Sequence, residues 1–236
     1  MSLIVTRDYT IYATLIYPFT LFRIDPWQLS LGADRKPFLI NATAGPHGAL
    51  NPPGSVWVEP DSDLTYTITA DTYFHTDSVK INGTEAGPIA THTFTNLNSH
   101  QMLTADFAPI LTSRGTPEWW LNQANLTNGS FEATETTDLD QDGLTAWQEW
   151  QADTDPNDPA DVLKLTGVQM GESGLSLNWQ GGNASRQYLE TKQNLSDTGT
   201  PWSVIFTNYP PMLSSQTLLD WPRTNQTLFY RIRAER

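Results

Sequence analysis

A twelve-residue acidic stretch, from Asp138 to Glu149, constrains this chain more than any other part of its sequence. Aspartates occupy its first, third and fifth positions (Asp138, Asp140 and Asp142), Gly143 follows at once, and Glu149 closes the stretch at position twelve. Carboxylates at alternate positions of a turning backbone converge on one side, and the glycine permits the sharp bend. This is the spacing D-x-[DN]-x-[DN]-G-x₅-E of a calcium-binding loop, and it predicts a Ca²⁺ site.

Ca²⁺ prefers six to eight oxygen ligands, and the predicted site supplies oxygens from five positions of the loop. Leu144 contributes its backbone carbonyl, and Glu149 binds through both carboxylate oxygens. Ala146, at the ninth position, has no side-chain oxygen, so water would serve there. The alternative is a solvated acidic loop, but four carboxylates this close repel one another without a divalent ion. The predicted metal ligands are Asp138, Asp140, Asp142, Leu144 and Glu149.

Charge and composition exclude several kinds of partner. The chain has 26 Asp and Glu residues against 13 Lys and Arg, a formal net charge of −13, whereas nucleic acids and anionic membranes attract basic surfaces. The negative charge therefore argues against a nucleic-acid partner. No run of about eighteen apolar residues is present, so we expect no membrane insertion. The absence of cysteine excludes disulfides, thiolate metal sites and cysteine nucleophiles.

Alternation of apolar and polar residues predicts short strands on both sides of the acidic stretch. Residues 38–108 contain FLINATA, SVWVE, LTYTITA and MLTADFA between turns rich in Gly, Pro and Asn. The alternation returns from Val162 onward with LSLNW, RQYLETK, WSVIFT and LFYRIRAE. These segments predict two mainly β modules.

Residues 109–161 have helix signals instead. Thr116 is the expected cap of a first short helix, and Pro117 occupies its first helical position. Ser130 can cap a second short helix. A third helix is expected from about Thr145 through Ala152. Helix, calcium loop and helix in this order are the arrangement of an EF-hand with a single loop.

Three segments resemble families of bacterial secreted proteins. INATAGPHGALNPPGSVWV and THTFTNLNSHQMLTADFA resemble divergent internalin-B-type β-repeats. DLDQDGLTAWQEW and ADTDPNDP resemble the calcium segments of thrombospondin type 3 and dockerin repeats, although Asp153 stands where a glycine is usual before TDP. Trp179 with the later YLE and FYRIR strands resembles a fibronectin type III-like sandwich. These resemblances imply an extracellular or cell-surface protein.

We therefore expect a mainly β chain with four parts. Residues 1–37 form a partial preceding repeat and linker, because VTRDYTIYATLI aligns with LNSHQMLTADFA; one ordinary alternating strand is the alternative. A small β-repeat module spans 38–108, a helical, EF-hand-like calcium connector spans 109–161, and a β-sandwich spans 162–236.

Two further sets of residues have competing interpretations. The tryptophans of the connector could stack on sugars, but short helices need them as core, which is the interpretation we favour. They are Trp119, Trp120, Trp147 and Trp150. Ser173 in MGESGLS lacks the second spacer of G-x-S-x-G and is interpreted as a hairpin turn, so we expect no enzyme.

The sequence thus predicts a non-catalytic, calcium-stabilised extracellular spacer, adhesion or anchoring segment of a larger bacterial secreted protein. The alternative is an accessory tail of a secreted enzyme whose catalytic domain lies upstream, with glycan binding as a variant. The expected partners are Ca²⁺ and a surface glycan or protein ligand.

Overall fold

The structure is mainly β, as the alternating pattern predicted. The computed structural model describes residues 36–126, 129–170, 175–212 and 227–236, together with the strands Ser2–Val5, Ile11–Thr14, Leu21–Ile24 and Ser215–Trp221. Ser173 lies outside these residues. The three helices described are only four to seven residues long. Within the described part of the chain, no helix is long and apolar enough to span a membrane.

The chain divides into two compact units. The first comprises Met1–Ala70 with Thr76–Phe107, and the second comprises Asp71–His75 with Ala108–Arg236. The first begins with an antiparallel sheet of β1 (Ser2–Val5), β2 (Ile11–Thr14) and β3 (Leu21–Ile24), with β2 in the centre. The other residues of 1–35 are outside the described part, so the relation of this segment to a repeat stays a prediction.

The rest of the first unit has eight strands in two sheets. The three-stranded sheet has the order β10-β7-β5, and the five-stranded sheet has the order β6-β4-β11-β8-β9. Here β11 pairs in parallel with β4, with Gln101 opposite Ile40. The strands are β4 (Phe38–Ala44), β5 (Gly48–Asn51), β6 (Val56–Val58), β7 (Leu64–Ala70), β8 (Phe74–Ile81), β9 (Thr84–Glu85), β10 (Thr91–Phe94) and β11 (Gln101–Pro109).

The inward residues of these two sheets form one apolar core. Along β7, Tyr66 and Ile68 are buried while their neighbours Thr65 and Thr67 are exposed, which is the two-residue period of a strand with one buried face. Ile40 of the other sheet belongs to the same core. Burial of this apolar surface is the main stabilising contribution in a unit without disulfides.

The second unit contains the helices and a sandwich of two antiparallel sheets. The sheets have the orders β12-β13-β16 and β15-β14-β17. The elements are α1 (Glu118–Gln123), α2 (Phe131–Thr134), α3 (Ala146–Ala152), β12 (Lys164–Met170), β13 (Leu175–Gln180), β14 (Arg186–Lys192), β15 (Ser203–Asn208), β16 (Ser215–Trp221) and β17 (Phe229–Glu235).

A buried hydrogen bond fixes the centre of the sandwich. Trp179 is 1% exposed and packs with Leu177 and Leu189 in the core. Its indole Nε1–H donates to the Gln187 Oε1 at 2.8 Å, and the Gln187 Nε2 donates to the Gly182 carbonyl at 3.1 Å. The amide therefore pairs with the buried Trp179 indole on one side and with the half-buried Gly182 backbone on the other.

Replacing Gln187 by leucine should leave the Trp179 N–H and the Gly182 carbonyl without this partner. We expect Gln187→Leu to lower the free energy of unfolding by about 1–3 kcal/mol, measured by urea denaturation. Gln169→Leu, at an exposed position of β12, is the control and should change it by about 0.5 kcal/mol or less. Equal losses in the two variants would contradict the role given to Gln187.

Candidate metal centre

The acidic stretch follows α2 and ends inside α3, and a polar residue lies at the N-cap of each helix. Ser130 caps α2 as predicted, because its Oγ accepts a hydrogen bond from the Ala133 N–H at 3.2 Å. Thr145 is the N-cap of α3, and its N–H donates to the Gln148 Oε1 at 2.9 Å. The predicted third helix is thus confirmed from Ala146 to Ala152.

Backbone hydrogen bonds close the loop at its base. The Ala146 N–H donates to the Thr137 carbonyl at 3.0 Å, and the Trp147 N–H donates to the Glu135 carbonyl at 3.0 Å. These bonds join the end of α2 to the start of α3. These protein hydrogen bonds already hold the loop ends together. They therefore reduce the entropic cost of closing the loop that ion binding would have to offset.

Within the loop, the aspartates are turned inward by bonds to their own backbone. The Gln141 and Gly143 N–H groups donate to Oδ1 and Oδ2 of Asp138, at 2.8 and 3.0 Å. The Asp142 N–H donates to the Asp140 Oδ1 at 3.2 Å, and the Leu144 N–H donates to the Asp142 Oδ1 at 2.7 Å. Gly143 has φ 101°, which glycine adopts without the strain that a side chain would cause.

The structure brings three of the predicted ligands together. Asp138, Asp140 and Asp142 each offer a carboxylate oxygen within 4.8 Å of the other two. Glu149 does not belong to this group of three, although it is completely buried in α3 beside the loop. No hydrogen bond described in the structure is accepted by the Leu144 carbonyl oxygen.

Four buried carboxylate oxygens at this site have no hydrogen-bond partner among the described residues. They are Oδ2 of Asp140, Oδ2 of Asp142, and both Oε1 and Oε2 of Glu149. Burying such a group without a partner is costly, and an ionised carboxylate is the costliest case. Unpaired oxygens of hard, anionic character are what Ca²⁺ binds, so the residues present fit this ion.

Burial and mutual repulsion raise the pKa values at the site. The pKa of Glu149 rises from 4.5 to about 8, chiefly because the carboxyl group is buried, and further because Asp140, Asp142 and Asp138 are negative. Burial also raises the pKa of Asp140, with smaller contributions from Asp142 and Asp138. The site therefore favours a bound proton or a cation over four free negative charges.

Sequence reasoning did not identify the role of Glu135, at the end of α2. Glu135 is 1% exposed, and its Oε2 accepts hydrogen bonds from the hydroxyls of Thr112 at 2.5 Å and Thr116 at 3.1 Å. The prediction that Thr116 caps the first helix is wrong, since Pro117 is the N-cap of α1 and no side chain caps it. The hydroxyl is used instead to hold the buried carboxylate of Glu135.

The C-terminal end of α3 is bonded directly to the sandwich. Asp153 ends the helix with its backbone in the left-handed region (φ 60°, ψ 42°), which residues other than glycine seldom adopt. Its Oδ2 accepts from the Ala184 N–H at 2.7 Å, and its Oδ1 forms a salt bridge with Arg236 at 3.0 Å. The guanidinium of Arg236 also lies 3.8 Å above the ring of Trp150. These contacts account for an aspartate at the position where the resembled repeats have glycine.

Gly182 allows the close approach at this junction. Its N–H donates to the Ala152 carbonyl at 3.2 Å, and a Cβ placed on it would lie 1.8 Å from the Asp153 carbonyl oxygen. Ser185, which is fully buried, donates to the same Ala152 carbonyl at 3.0 Å. The helix end and the sandwich are thus in backbone contact.

The tryptophans of the connector pack against one another. The rings of Trp119 and Trp120 meet the ring of Trp150 edge to face, at 5.9 and 5.4 Å between centroids. Trp120 also packs on the small core that contains Leu121. A packing role is therefore confirmed for Trp120, while Trp147 lies under the guanidinium of Arg114 at 5.2 Å.

Comparison of the chain with protein-family models, with curated proteins and with solved structures finds no match in any of the three. The resemblances to β-repeats, calcium repeats and fibronectin-like sandwiches therefore stay predictions.

The raised pKa of Glu149 predicts a pH-dependent stability in the metal-free protein. An unfolded chain has the ordinary pKa of 4.5, so the folded state binds the proton more tightly, and stability falls as pH rises from 4.5 through about 8. Glu149→Gln lacks this titration. In chelator, the melting temperature of the wild type should therefore drop relative to the variant over this range; parallel curves would contradict the assignment.

Gly182→Ala tests the junction. The added methyl group must displace the end of α3, so we expect the free energy of unfolding to fall by about 1–3 kcal/mol or more. Gly199→Ala is the matched control, because the nearest atom to its added Cβ is 3.5 Å away, an ordinary contact. Thermal unfolding of the two variants gives the comparison, and equal stabilities would show that the contact is not close in solution.

Proposed function

We propose that the loop Asp138–Glu149 binds Ca²⁺ and that the ion fixes the helical connector, so that the chain acts as a non-catalytic, calcium-stabilised structural segment. One observation carries the proposal. The carboxylate of Glu149 is fully buried without a hydrogen-bond partner, next to three aspartates that raise its pKa. A divalent cation is the simplest group that stabilises such an arrangement in its ionised form.

The proposed ligands act together because they come from both ends of the loop. Asp138, Asp140 and Asp142 lie in its first half, whereas Glu149 lies in α3. An ion bound by both parts therefore fixes α3 against the loop. At ten times its dissociation constant, one ion would stabilise the folded state by about 1.4 kcal/mol.

The effect of the ion extends to the sandwich through α3. Glu149 and Asp153 are four residues apart in sequence, and Asp153 is bonded to Ala184 and Arg236. A helix fixed at Glu149 leaves Asp153 in place for these contacts. We infer that calcium binding stabilises the connector and the sandwich as one unit.

An extracellular location agrees with this chemistry. Extracellular calcium modules function with dissociation constants as weak as about 10⁻⁴–10⁻³ M, because the ion is abundant there. The chain has no cysteine, so calcium takes the stabilising role that disulfides have in other secreted domains. By resemblance of its motifs to repeats of bacterial secreted proteins, we propose a spacer, adhesion or anchoring role at the cell surface.

Asp138→Asn tests the metal site with little change of shape. Asparagine keeps the Oδ1 that accepts from Gln141, but in place of the Oδ2 that accepts from Gly143 it has an NH₂ group, so a charged oxygen ligand and one loop hydrogen bond are lost. We expect calcium affinity, measured by isothermal titration calorimetry, to fall by about tenfold or more, and the calcium-induced rise in melting temperature to shrink.

Asp158→Asn is the matched control, since Asp158 is acidic and lies outside the loop. It should keep the wild-type affinity. If both variants lose affinity equally, the ion is attracted only by the general negative charge. If Asp138→Asn destabilises the protein as much in chelator as in calcium, the loop is not the site.

A further inference from the structure

A cleft in the second unit lies between α1 and the chain that follows α3. It has a volume of about 500 Å³, within the range of ligand-binding sites. Trp119 and Trp120 of α1 belong to its lining. The chain after α3 contributes Asp153, Asp155 and Asp161, which we call the acidic wall. The calcium loop contributes no residue to this lining. The cleft is therefore a site separate from the proposed metal centre.

The two walls of the cleft are held in place by hydrogen bonds. The Asn157 side-chain Nδ2 donates to the Ala124 carbonyl at 3.1 Å, which joins the acidic segment to the end of α1. The Asp155 N–H donates to the Asp161 Oδ2 at 3.0 Å. These bonds fix the positions of the carboxylates, so the cleft does not depend on a ligand to form.

The acidic wall has negative charge that the described residues do not neutralise. Asp153 has its salt bridge with Arg236, but none of the salt bridges described involves Asp155 or Asp161. The pKa of Asp161 is raised, first by burial and then by the charges of Asp158, Asp155 and Asp153. A cation in the cleft would relieve this repulsion.

A guanidinium group has five N–H donors and no acceptor, so the carboxylate oxygens of the acidic wall match it.

The protein already binds one guanidinium in this way. The Arg236 side chain lies 3.8 Å over the Trp150 ring and forms a salt bridge with Asp153 at 3.0 Å. The lining of the cleft contains the same combination of side chains, because it includes the half-buried tryptophans Trp119 and Trp120 together with carboxylates. Cation–π attraction and charge pairing are then available to a second guanidinium.

We propose that this cleft binds an arginine side chain of a partner polypeptide. Asp155 and Asp161 pair with the guanidinium, and Trp119 and Trp120 cover its flat face. A neutral sugar would also stack on the tryptophans and donate hydrogen bonds to the two carboxylates, but it brings no positive charge to pair with them. Charge complementarity therefore selects the cation.

The test uses the whole chain in millimolar Ca²⁺ and the peptide acetyl-Gly-Arg-Gly-Arg-Gly-amide. Binding is followed by the NMR signals of the indole N–H groups, assigned with Trp119→Phe and Trp120→Phe variants. Saturable shifts of these two signals are expected. A peptide with citrulline in place of arginine keeps the shape without the charge, and should bind about tenfold or more weakly.

Asp155→Asn combined with Asp161→Asn should lower affinity for the arginine peptide by a similar factor. Asp77→Asn, an exposed aspartate that does not line the cleft, is the control and should leave the affinity unchanged. A circular dichroism spectrum of the double variant that matches the wild type shows that the connector is still folded. Its calcium affinity should fall much less than that of Asp138→Asn, because Asp155 is the smallest of the charges that raise the pKa of Glu149, which separates this proposal from the metal site.

Three results would overturn the proposal. The first is equal binding of the arginine and citrulline peptides, or no binding of either. The second is saturable binding of maltotriose at the same two tryptophans without binding of the peptide, which would make the cleft a sugar site. The third is displacement of the peptide by added Ca²⁺ at constant ionic strength, which would make the acidic wall a second metal site.

Discussion

The burial of a carboxylate beside three others is the constraint on which the second unit depends. Glu149 is fully buried, and neither of its oxygens has a partner among the described residues. The start of α3 is held to the chain at the end of α2 by backbone hydrogen bonds from Ala146 and Trp147, which offset part of this cost. The arrangement is stable when the charge is neutralised, by a proton or by the proposed ion.

The connector is bonded directly to the sandwich. The helix that contains Glu149 ends at Asp153, whose carboxylate bonds to Ala184 and Arg236. Gly182 permits backbone contact at the same place. By contrast, the core of the first unit is built from the buried apolar faces of alternating strands such as β7.

Local patterns predicted much of this correctly. The alternation of LTYTITA is reproduced in the burial of Tyr66 and Ile68, because the period of a strand is a local property. Ser130 caps α2 as expected and the third helix begins where it was predicted, since a helix start depends on residues three or four positions away. The three aspartates converge as their spacing required, because they lie within five residues of one another.

The sequence by itself therefore determined the mainly β class, the aspartates of the loop, the cap of α2 and the third helix, all of which follow from short-range spacing. Only the tertiary structure decided the roles of Thr116 and Asp153, because their partners Glu135, Ala184 and Arg236 are between nineteen and eighty-three residues away. Pairing over such distances depends on how the elements pack, and no local pattern encodes it. The cleft between α1 and the segment after α3 arises in the same way.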